Sequence, residues 1–160
     1  MTPELASAYH DQRPPFDGVT LVADNLGPED LWRSYRAAVK CLSRTDRLWQ
    51  CADWHWHDGF ITPAKALAWD EFCEWLESPE RLVAAWETED HVHRAVFPDD
   101  FRWLLRFYLW EFPGPDDKLG FDMSGPSELI EAVRQAVDLE NVRVENSIDW
   151  FAASGWTWTG

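Results

Sequence analysis

Twelve of the 160 residues are tryptophan, and this constrains the fold before anything else does. An indole is a large apolar body to hide from water, and its N–H needs a partner once buried. A chain with this many must offer either a substantial interior or an extended binding surface. The same chain carries a formal net charge of −15. Charge of that sign repels nucleic acid and anionic membrane, and it attracts basic partners.

The length suits one domain with a real core. A composition of 46% hydrophobic and 27% charged residues is that of a globular protein, not a disordered one. The charge is uneven: residues 1–50 net −1, residues 51–110 net −7 and residues 111–160 net −7. The odd, sparse cysteines (Cys41, Cys51, Cys73) do not form a disulfide framework and read as reduced. Met1-Thr2-Pro3-Glu4-Leu5 lacks the basic start and apolar run of a signal peptide. No apolar stretch reaches membrane-spanning length, because Arg102 and Arg106 break the richest one. The expected location is the cytoplasm.

Residues 1–15, ending in Arg13-Pro14-Pro15, read as an irregular arm ahead of a single domain over 16–160. Gly18–Ala23 suits a short strand. Gly27-Pro28-Glu29-Asp30 opens a helix over 28–42, with proline at its first position and acids in its first turn. Arg47–His57 reads as a strand, Asp58-Gly59 as a hairpin turn, and Phe60-Ile61 as the start of a partner strand. Thr62-Pro63 predicts a helix over 63–77, and Ser78-Pro79-Glu80 a second over 79–86. His91–Phe97 looks extended, and Pro98-Asp99-Asp100 is turn chemistry.

Phe101–Phe112 carries the clearest alternation. Phe101, Trp103, Leu105, Phe107 and Leu109 share one face; Arg102, Leu104, Arg106, Tyr108 and Trp110 share the other. Leu119–Met123 can return as a strand, Gly125-Pro126-Ser127-Glu128 opens a helix over 126–137, and Asn141–Glu145 suits a last strand. The two Gly-Pro openings resemble each other, which helix-start chemistry explains more simply than duplication. The expected fold is a single α+β domain with a largely antiparallel sheet and about four helices.

Two groups of residues can carry chemistry. His55-Trp56-His57 and His91-Val92-His93 are both His-x-His pairs. On a strand, residues two apart share a face, so each pair can offer two imidazoles to a divalent transition metal, with Asp53, Asp58 or Asp90 completing a shell. The plainer reading puts the histidines on the wet side of a strand whose tryptophans fill the core. On that reading the two pairs lie apart and no cofactor is required.

The second group lies in the 63–77 helix. Trp69, Phe72, Cys73 and Leu76 form its apolar stripe, while Asp70, Glu74 and Glu77 fall at i, i+4 and i+7 with Glu71 beside them. No cation stands at partner spacing on that helix face, so like charges face one another at about 0.2–0.5 kcal/mol per pair. Trp75 borders the acids. An aromatic anchor among carboxylates is interface chemistry, the alternative being that the ring packs under the next helix.

Phosphate-binding loops, a dinucleotide glycine fingerprint and a Gly-x-Ser-x-Gly elbow are absent. No cysteine sits in the electropositive neighbourhood that a thiolate nucleophile needs. Nothing therefore points to an enzyme ahead of a binding protein.

On Asp70, Glu71, Glu74 and Glu77 with Trp75, the chain resembles the acidic bacterial immunity proteins that cap basic nuclease toxins. The resemblance is one of type and covers no aligned stretch. It implies an inhibitor that occludes a basic protein, without direct contact to nucleic acid or membrane. Two other readings stay open: a metal-binding domain or metal-dependent enzyme built on the histidine pairs, and a pocket whose tryptophans hold a sugar or a cation. The oligomeric state is not legible from sequence.

Overall fold

The computed structural model describes residues 18–53, 65–86, 93–100, 102–110, 118–139 and 142–146. Seven strands alternate with four helices among these residues: β1 Val19–Leu26, α1 Pro28–Lys40, β2 Leu48–Asp53, β3 Lys65–Leu67, α2 Trp69–Glu74, α3 Pro79–Trp86, β4 His93–Pro98, β5 Leu104–Trp110, β6 Lys118–Gly125, α4 Ser127–Ala136 and β7 Val142–Asn146. The strands form one sheet in the order β3-β2-β4-β5-β6-β1-β7. Every neighbouring pair is antiparallel. This is the α+β domain that the alternation predicts. The proposed arm over 1–15 lies outside the described residues.

The helices form where the local chemistry asks for them. In α1, Gly27 is the N-cap, Pro28 takes the first position, Glu29 and Asp30 sit in the first turn and Lys40 in the last. Each charge opposes the nearer end of the helix dipole. Leu31, Tyr35, Ala38 and Val39 then recur on one buried face. In α3, the Ser78 hydroxyl accepts the Arg81 backbone N–H at 3.1 Å, which caps the helix that Pro79 opens.

The sheet has two buried faces of different character. Leu21 and Ala23 of β1, Leu48 of β2, Val96 of β4, Leu105 and Phe107 of β5, and Phe121 and Met123 of β6 belong to one core, shared with α1, α2 and α4. Four rings run through it from helix to sheet. Trp69 packs on Phe72 at 5.7 Å between centroids, Phe72 on Tyr35 at 6.0 Å, and Tyr35 on Phe107 at 4.7 Å. Such tilted and edge-on pairs contribute about 0.5–1.5 kcal/mol each beyond their burial. Trp103, just before β5, is 2% exposed and joins the same core.

Thr20, Val22, Ala95, Phe97, Leu104, Arg106, Asp122 and Ser124 alternate with those residues and are also buried. The opposite face of the sheet is thus closed as well, but it carries polar groups at its centre.

Two expectations fail. The helix foreseen over 63–77 does not extend that far: Lys65–Leu67 is a strand paired to β2, with Leu67 opposite Leu48, and α2 covers only Trp69–Glu74. Ala64-Lys65-Ala66-Leu67-Ala68 has good helix propensity, but propensity is worth only tenths of a kcal/mol per residue. A sheet ladder and a buried Leu67 outweigh it. The strand foreseen from Phe101 starts at Leu104, because residues 99, 100 and 102 belong to the turn out of β4. The Asp58-Gly59 turn, the Phe60-Ile61 strand and the Trp150–Trp158 tail lie outside the described residues.

Candidate functional site

The acidic segment is built by α2, the turn after it and the start of α3. Phe72 donates its backbone N–H to Ala68 O, and the turn tightens through Leu76 N–H to Cys73 O at 3.0 Å and Glu77 N–H to Glu74 O at 3.2 Å. Leu76 O, beyond the helix end, accepts the indole N–H of Trp32 from α1 at 3.0 Å. A half-buried tryptophan thereby satisfies a carbonyl that the helix leaves over. The segment is held at both ends, and its exposed side chains project from fixed backbone.

Asp70, Glu71, Glu74 and Glu77 are all exposed. Their electrostatics differ from the sequence expectation, because the cations come from elsewhere in the chain. Arg44, in the loop before β2, reaches Asp70 at 3.2 Å, and Arg81 of α3 reaches Glu77 at 2.7 Å. All four of these side chains are more than half exposed. Each pair is therefore worth about 0–1 kcal/mol, but locally each acid is neutralised. Glu77 also lies past the end of α2, so the three acids do not share one helical face. Glu71 and Glu74 have no cationic partner among the described residues.

Trp75 is turned the other way. Only 8% of it is exposed. Its ring meets Phe72 edge-on at 5.7 Å, and the Arg94 guanidinium lies 5.7 Å from the ring centroid. Residue 75 closes α2 inward, so the indole is part of the core rather than an exposed anchor beside the acids.

The histidines are only partly in view. His55, His57 and His91 lie outside the described residues, and His93 is described by its backbone alone. That backbone is informative. β2 and β4 are neighbours, and Asp53 stands opposite His93 in their ladder. Asp53 and His93 thus stand side by side at one end of two adjacent strands. No group of three or more metal-ligating side chains occurs among the described residues.

One site escaped the sequence reading altogether. At the centre of the sheet face away from the helices, Arg106 of β5 and Asp122 of β6 are cross-strand partners. Arg106 Nε donates to Asp122 Oδ1 at 2.9 Å and Nη2 donates to Oδ2 at 2.7 Å, a bidentate pair. Their side chains are 2% and 0% exposed. Beside them, the hydroxyls of Thr20 and Ser124 share a hydrogen bond of 2.6 Å. A signal existed: Arg106 is a lone cation midway along an otherwise apolar strand, and such a group needs a buried anion. Which acid answers it depends on register across 16 residues.

The adjacent acids Asp99 and Asp100 are committed. Asp99 accepts the Trp49 indole N–H and lies 3.7 Å from Arg47, and Asp100 pairs with Arg102 at 3.3 Å. Burial pushes the Cys41 and Cys73 thiols up, the latter further raised by Asp70 and partly offset by Arg44. That is the direction that keeps a thiol protonated and unreactive. No helix among the described residues is long and apolar enough to cross a membrane. Comparison with family models, with curated proteins and with solved structures gave no match for this chain.

Proposed function

We propose that this protein is an acidic protein-binding module, an immunity-type inhibitor that occludes a basic partner such as a nuclease toxin. The observation that carries the reading is the surplus of unneutralised carboxylate. The described residues hold 17 acids against 13 Lys and Arg, and the rest of the net −15 falls on the other residues of the chain, its two ends included. Within the described part, Glu71 and Glu74 stand exposed between two acids that already have their arginines. A surface selected for stability alone would place a cation there too. Fields of this kind accelerate encounter with an oppositely charged protein more than they tighten the final complex.

The test uses the basic protein encoded nearest to this chain's gene, purified and mixed with the intact chain. The association rate should fall steeply with salt, because exposed charges are screened beyond about 8 Å at physiological ionic strength. Glu71→Lys with Glu74→Lys should slow association while leaving the melting temperature unchanged. An association rate indifferent to salt, or equal for wild type and the double reversal, removes these acids from the function.

One observation favours a second reading. The ladder position of Asp53 opposite His93 supports a divalent transition-metal site at that end of β2 and β4, drawing on His55, His57 and His91. Zinc titration of the whole chain should then show stoichiometric binding that His93→Ala and His57→Ala each weaken. Wild-type protein that retains no zinc after dialysis ends this reading.

A further inference from the structure

We draw no further inference here: the strongest candidate, the polar centre of the sheet face away from the described helices, where the buried Arg106–Asp122 pair lies beside the hydrogen-bonded hydroxyls of Thr20 and Ser124, carries none because nothing among the described residues shows what covers it.

Discussion

Removing one partner of the Arg106–Asp122 pair should cost far more than removing both. Asp122→Ala deletes the carboxylate that receives two N–H bonds of 2.9 and 2.7 Å. It takes from a guanidinium that is 2% exposed the carboxylate that pairs with it in bidentate fashion. Breaking a buried pair in this way costs about 3–5 kcal/mol, whereas replacing the whole pair with apolar residues of similar volume ranges from neutral to stabilising by about 1–4 kcal/mol. For a domain of this size each kcal/mol moves the melting temperature by roughly 2–4 °C, so Asp122→Ala should melt about 6–20 °C lower. Arg106→Met with Asp122→Leu should melt above either single variant. Denaturant unfolding followed by tryptophan fluorescence gives the three free-energy differences, and the double-mutant cycle gives the coupling. Within ~1 kcal/mol of wild type, Asp122→Ala would behave like a solvated surface pair and refute the burial argument. A double variant whose loss equals the sum of the single losses would refute the coupling.

Trp75→Ala should destabilise the protein by about 3–5 kcal/mol in the same unfolding assay, as truncation of a core tryptophan does; a near-neutral result would place the ring on the surface. Tyr35 should resist alkaline titration. Its burial, with the Cys73 thiol adding to the shift and Arg94 partly offsetting it, holds the phenol well above its ordinary value of 10.0. The stability tied to its neutral form is thus fully present below pH 10 and lost as pH rises beyond it, and absorbance at ~295 nm should show this tyrosine ionising only with unfolding. Hydrogen bonds from Arg134 and Gln135 pull Glu131 from 4.5 down to about 2. Its contribution is present above pH 4.5 and lost as pH falls toward 2. Carboxyl NMR should return its midpoint to the ordinary range in Arg134→Gln; an unchanged midpoint would assign the shift elsewhere.

Elements that announce themselves within a dozen residues were legible in the sequence. α1 carries its own start chemistry, and the odd positions of 103–107 do face the core. Pro79 and Pro126 mark α3 and α4 to within a residue. What could not be read depends on register between distant segments. β3 exists because β2 offers an edge at Leu48–Gln50, overriding a local preference for helix. Arg44 neutralises Asp70 across 26 residues, and Trp32 reaches Leu76 across 44. The same limit applied to Trp75: its spacing placed it beside the acids, but a helix that ends at Glu74 turns it inward.

The place of β1 in the sheet has a consequence during synthesis. Among the described strands β1 is the first made, yet both its neighbours, β6 and β7, are the last two. Thr20 meets Ser124 across 104 residues. At roughly 5–20 residues per second, β1 waits on the order of 5–20 s for its first partner. Throughout that interval Leu21 and Ala23 on one side and Val22 on the other lack their neighbours among the described strands, whereas β5 and β6 meet soon after they are made. Such pairing at long separation also slows refolding in solution. Growing chains halted before residue 118 should therefore be the aggregation-prone species, and a chaperone that shields residues 19–26 should raise the yield of folded protein more than one acting on the later strands.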